Sequence, residues 1–208
     1  MASSGGPRLG QIERYGAASQ VTTPTELSVA GGFVNKIAVE PPWVAGIDLA
    51  DSKNNDNRRL NLGNHNVAGC SSTSSGFPAI HAVDLAIDAD RVYWLENETG
   101  GTSSLKALPL TDTLTATQAP TQLVSGLGVV NALAVDEHHV YFTTRDRGGA
   151  IFYVARDTVT TRTAAEVSVL AEDRGEPFAI AASADSPWIY WATTGETGTV
   201  ERARKPLD

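Results

Sequence analysis

Apolar residues in this chain fall in short runs broken by Gly, Pro, Asp and Asn, and the runs are rich in Val, Ile, Tyr, Trp and Thr. Such runs bounded by turn formers predict strands. Four of them superpose: Lys36-Ile37-Ala38-Val39-Glu40, Asp84-Leu85-Ala86-Ile87-Asp88, Ala132-Leu133-Ala134-Val135-Asp136 and Ala179-Ile180-Ala181-Ala182-Ser183. Their last residues lie 48, 48 and 47 positions apart. A second run follows three of them, Val92-Tyr93-Trp94, Val140-Tyr141-Phe142 and Ile189-Tyr190-Trp191, with Val44-Ala45-Gly46 as a degenerate first copy. A third run follows a glycine, as at Gly149-Ala150-Ile151-Phe152 and Gly198-Thr199-Val200-Glu201. A fourth reads Leu27-Ser28-Val29-Ala30-Gly31 and Leu123-Val124-Ser125-Gly126, with Val169-Leu170-Ala171 a looser relative.

Four short strands in a unit of about 48 residues predict an all-β fold, a β-propeller of four-stranded blades. Ala38, Ala86, Ala134 and Ala181 recur on the first strand, where crowding near a central axis favours small side chains. The second strands read as continuous apolar runs, as a strand covered on both faces should. The acid closing the first strand, Glu40, Asp88 or Asp136, is placed to accept hydrogen bonds from the amides of the following turn. Thr163 to Arg174 has helical propensity, but its phase in the repeat predicts an outer strand. Residues 51–75 carry little apolar pattern and are read as a polar loop replacing the outer half of the first blade. Residues 1–9 are read as a disordered tail, and 10–208 as one propeller or part of one.

The order small-apolar-Asp, then Val-Tyr-Trp, then Gly-x-Ile resembles the YWTD and NHL-type propellers over roughly residues 24 to 203. The chain departs from the YWTD form after the aromatic residue, where Leu95-Glu96, Thr143-Thr144 and Ala192-Thr193 stand instead of Thr-Asp. A six-bladed ring at this period exceeds the 208 residues available. Three arrangements follow: a four-bladed ring closed by terminal strands, an incomplete piece of a larger propeller, or two chains completing one larger ring. An open array exposes a blade face of Trp, Tyr and Val, so self-association is expected if the ring is not closed.

Charge narrows the partners. Sixteen Lys and Arg against 24 Asp and Glu give a net charge of −8, which argues against nucleic acid and anionic membrane surfaces. Cys70 is the one cysteine, so no intramolecular disulfide can form. No apolar run approaches the length of a membrane span, and the first residues lack the order of a signal peptide. The expectation is a cytoplasmic protein, or a secreted or cell-envelope one if the chain is a fragment.

Catalytic signatures are sparse: His65, His81, His138 and His139 show no zinc-ligand spacing, and no nucleophile elbow, phosphate loop or dinucleotide motif is present. His138 and His139 fall in a turn between strands. The run from Asp51 to Asn57 has Lys53 and Asp56 where a calcium loop wants an acid and a glycine, so calcium is a minor possibility and no other cofactor is implied. The best-placed polar groups enter the inner strands: Asn35, Val83, Asn131 and Phe178 at one phase, then Lys36, Asp84, Ala132 and Ala179 at the next. Asn35, Lys36, Asp84 and Asn131 are the candidate ligand-binding residues at a channel mouth. They suit a non-enzymatic module that recognises a protein, peptide or glycan. The resemblance to propellers also implies an alternative, a metal-dependent hydrolase or lyase of lactonase type, and a fragment without independent activity is the third reading.

Overall fold

The computed structural model describes residues 11–14, 25–28, 33–49, 58–64, 77–78, 81–98, 100–111, 118–194 and 198–207. Strands β1 (Gln11–Arg14) and β2 (Thr25–Ser28) pair only with each other, so β2 does not add to the last sheet. The first sheet holds β3 (Phe33–Glu40), β4 (Trp43–Leu49), β5 (Arg58–Asn64) and β6 (Phe77–Pro78). The second holds β7 (Ala82–Ile87), β8 (Arg91–Asn97), β9 (Ser103–Pro109) and β10 (Thr121–Leu127). The third holds β11 (Val130–Val135), β12 (His139–Thr144), β13 (Ala150–Ala155) and, beyond the short β14 (Arg162–Thr163), β15 (Ser168–Ala171). The fourth holds β16 (Glu176–Ala181), β17 (Trp188–Thr194) and β18 (Thr199–Arg204). The strands of each sheet follow one another as an antiparallel meander, and the second sheet gains β14 at its outer edge, parallel to β10.

Register makes the repeat equivalent in space. Ala86 faces Tyr93, Ala134 faces Tyr141 and Ala181 faces Tyr190 across matching strand pairs. The recurring alanine therefore sits beside the phenol ring, and its small side chain leaves room for it. Each inner strand also carries an extra residue at the same phase, between Val34 and Lys36, Ala82 and Asp84, Val130 and Leu133, and Pro177 and Ala179. These are β-bulges, which bend the strand and re-aim neighbouring side chains.

The sheets pack face to face in series: β3 on β7, β7 on β11 and β11 on β16. Tyr93, Leu95 and Leu105 of the second sheet meet Leu133, Val140 and Phe142 of the third. Trp94 and Val92 turn the other way, onto Trp43, Ala45 and Ile47 of the first. Tyr141 and Ile151 meet Ile189 and Trp191. Thus Tyr93 and Tyr141 face the following sheet, and Trp94, Phe142 and Trp191 face the preceding one. Among the described residues the series stops at the fourth sheet, with no comparable packing back onto the first.

Buried indole N–H groups need acceptors, and acids stand beside them. Trp94 donates to Glu96 at 3.0 Å, and Lys106 pairs with the same carboxylate at 3.1 Å. Trp191 donates to Glu201 at 3.1 Å. In the third sheet Phe142 needs no acceptor, and its cross-strand partner is Phe152, stacked at 5.6 Å.

One segment departs from the sequence reading and a second bears it out with an added turn. Within the supposed polar loop, Arg58–Asn64 is a paired strand whose Leu60 and Leu62 point into the core, a period-2 pattern hidden by the surrounding Asn residues. The rest of 51–75, and the tail 1–9, lie outside the described residues. The stretch after Thr163 does form the outer strand β15, preceded by a single 3₁₀ turn at Ala164–Glu166 closed by a Thr163–Glu166 capping box. Before that turn, β14 adds parallel to β10 and straps the third sheet's outer connection to the second. Thr161 reinforces the strap by donating to the Gln122 carbonyl at 2.8 Å.

Trp94 is 1% exposed, so Trp94→Ala should cost about 3–5 kcal/mol. His138→Ala, at an exposed turn residue, should cost about 0.5 kcal/mol or less. Urea denaturation of both variants checks this; equal losses would contradict the assigned packing.

Candidate functional site

The two ends of the sheets differ in chemistry. At one end lie the turns between first and second strands, and here the acid closing the first strand is used structurally. Asp88 accepts the amides of Asp90 and Arg91 at 2.7 and 2.8 Å, and the Tyr93 hydroxyl at 2.9 Å. Asp136 does the same with His138 and His139 at 2.9 and 2.8 Å, and with the Tyr141 hydroxyl at 3.0 Å. A cation from the next sheet then reaches back: Arg156 lies 3.6 Å from Asp88, and Lys205 lies 2.8 Å from Asp136. Arg156 also holds Asp90 at 3.2 Å, and Lys205 donates to the Ser183 carbonyl at 2.8 Å. Each cation follows the last residue of a third strand, so the same phase supplies the same latch twice. Sequence reading ended that phase before Arg156 and Lys205; the signal was a basic residue at a matching distance from each Asp.

Burial alone would raise the Asp136 carboxyl, whose side chain is 1% exposed. The Lys205 ammonium, the two turn amides and the Tyr141 hydroxyl outweigh that and hold its pKa below the usual carboxylate range. Burial, then the charge of Asp88 and its hydrogen bond, push the Tyr93 phenol far above its ordinary value. His138 and His139 thus belong to a structural turn; His139 also stacks edge-on against Tyr153 at 5.2 Å.

At the opposite end the inner strands begin and the loops between sheets gather. Lys36, Asp84 and Asn131 come together here along the series, each on or beside a bulge. Lys36 pairs with Asp84 at 3.3 Å across the first two sheets. The other Asp84 oxygen accepts the Leu133 amide at 2.9 Å, joining the third. Asn131 donates to the Pro177 carbonyl at 2.9 Å, joining the fourth. Asn35 stands exposed at the first bulge. Three of the four predicted site residues are therefore engaged between sheets, and Lys36 and Asn35 keep exposed surface.

At the same end, lined by none of these four, a cavity of about 250 Å³ opens between the second and third sheets. Gly126, Gly128, Thr144 and Asp146 rim it, and Phe152 contributes an aromatic wall. Asp146 accepts the Val129 amide at 3.1 Å, which fixes its carboxylate at the rim. A Cβ at Gly128 would coincide with that carboxylate, so a side chain there would displace Asp146 from this position. This cavity escaped sequence reading because its residues come from separate loops; the Gly-x-Gly before β11 was the available signal. Among the described residues no group of three or more His, Cys, Asp or Glu is placed to hold a metal ion. No described helix is long and apolar enough to cross a membrane.

No family model matches the chain, and no curated protein matches it in sequence. Solved structures match its fold. The computationally designed protein Ika4 aligns at 15% identity with a TM-score of 0.53, over 85% of this chain and 95% of that one. TolB from Acinetobacter baumannii aligns at 12% identity with a TM-score of 0.60, over 88% of this chain and 44% of its own. This chain thus spans under half the length of TolB. With the sheet series described above, these likenesses define the chain as a β-propeller-type protein.

Removing one partner of a buried ion pair leaves a charge uncompensated, so Asp136→Ala should lose about 3 kcal/mol at neutral pH. Because the folded pKa lies below the unfolded one, Asp136 stabilises the fold fully above about pH 5 and loses that contribution as pH falls through the native pKa. Urea titrations at neutral and acid pH should show a shallower decline for Asp136→Asn than for the parent; parallel declines would refute the latch.

Proposed function

We propose that the chain is a non-enzymatic binding module that recognises a protein, peptide or glycan at the end where the inner strands begin. Its four successive sheets are taken as four blades of the YWTD and NHL-like kind. The observation that carries the reading is the cavity at Asp146. A fixed carboxylate, a threonine hydroxyl and an aromatic wall converge on a space of about 250 Å³, enough for one sugar unit or one side chain. The carboxylate selects groups that donate hydrogen bonds or carry positive charge. Exposed surface at Asn35 and Lys36 extends the contact along the same end. The reading as a lactonase-like hydrolase needs free oxygen ligands at the channel mouth, whereas the Asp84 carboxylate already engages Lys36 and the Leu133 amide.

Two measurements test this. On glycan and peptide arrays the labelled protein should bind a ligand class that Asp146→Ala weakens tenfold or more without lowering the melting temperature. Unchanged binding in that variant would exclude the cavity. Calcium calorimetry addresses the hydrolase: a saturable heat lost on Asp84→Ala or Asn131→Ala would favour the enzyme and sink the binding-module reading.

A further inference from the structure

The fourth sheet turns one face to solvent. Pairing places Ala181, Tyr190 and Arg202 on that face, with Ala192 and Val200 beside them. Tyr190 is 37% exposed and Val200 77%, while Phe178 at the adjoining bulge is 49% exposed. The equivalent tyrosines, Tyr93 and Tyr141, are 0% exposed. What covers them is the leading face of the following sheet: Leu133, Val140 and Phe142 over Tyr93, and Ile180, Ile189 and Trp191 over Tyr141. The chain therefore demonstrates twice which surface fits the tyrosine face.

Part of a surface of that kind is exposed at the other end of the series. Ile37 and Val39 of β3 are 51% and 57% exposed, and they stand at the repeat positions that Leu133 and Val135 hold in β11. Val44 and Gly46, the cross-strand partners of Val39 and Ile37 on the same face, are buried, so the exposed part of that face is the inner strand. We propose that a second copy of this chain seats the leading face of its first sheet on the tyrosine face of the fourth, head to tail. Repeating the contact closes two chains into a ring, since a heterologous contact whose rotation closes generates a ring. Two fourth sheets meeting face to face would instead set Arg202 and Arg204 against their own copies, a like-charge opposition. The internal latch has no counterpart at this junction, because Ser183 replaces the acid of Asp88 and Asp136. The contact therefore rests on its apolar residues, Tyr190 and Ile37 first, with Arg202 on the same face as Tyr190.

Light scattering on the eluting full-length chain, across about a hundredfold range of concentration, decides the matter. The expected mass is about twice 21.9 kDa. Tyr190→Glu and Ile37→Glu should each reduce it to that of a single chain with the circular dichroism spectrum unchanged. Val200→Glu, at a residue exposed in the single chain, repeats the fourth-sheet arm without disturbing the fold. A single-chain mass for the parent at every concentration would overturn the proposal. So would a dimer that survives Tyr190→Glu and Val200→Glu. A dimer that survives only Ile37→Glu would show the fourth sheets meeting each other, and overturns the head-to-tail arrangement equally. Binding on the arrays does not enter this measurement, so its failure is separable from that of the ligand reading.

Discussion

A β-sheet that is apolar on both faces has to be covered twice, and this constraint organises the molecule. Tyr93 looks one way from β8 and Trp94 the other, and both are buried only because a sheet lies on each side. Removing either neighbour would return a large aromatic surface to water, at roughly 25 cal/mol for each Å² of apolar area. The order of sheets along the chain is therefore also their order in space. The second and third sheets, with a neighbour on both sides, hold most of the fully buried large side chains.

Apolar packing alone does not fix how one sheet is rotated on the next, because it is not directional. Polar contacts at both ends supply direction. At the turn end, Asp88 and Asp136 gather turn amides, a tyrosine hydroxyl and a cation from the following sheet, so intrablade and interblade geometry meet on one carboxylate. At the loop end, Asp84 and Asn131 bridge successive inner strands just where the bulges release backbone groups from the ladder. Buried polar groups with their partners in place specify one arrangement among many apolar alternatives.

This division of labour bears on where a ligand can sit. The turn end carries the Asp–cation latches, whereas the loop end carries a few bridging contacts and connections of unlike sequence. Loops vary without disturbing the sheets that carry them, which is why recognition concentrates there. The Asp146 cavity lies at that end, lined by residues of the second and third sheets.

The period could be read from the chain because its copies repeat in sequence, and the role of Asp88 and Asp136 as turn acceptors because their partners lie within five positions. Asn35, Val83, Asn131 and Phe178 align in the repeat and fall at the bulges, although the sequence pattern alone does not show a bulge. β5 was missed because Leu60 and Leu62 are too few to stand out among polar neighbours until β4 offers them a ladder. Partners far apart in sequence were decided by folding alone: Lys205 on Asp136, Lys36 on Asp84, and the loops around Asp146. Local pattern encodes which backbone conformation a run of residues prefers. Which distant charge or loop arrives beside it depends on how sheets stack and rotate, and no short window of sequence contains that information.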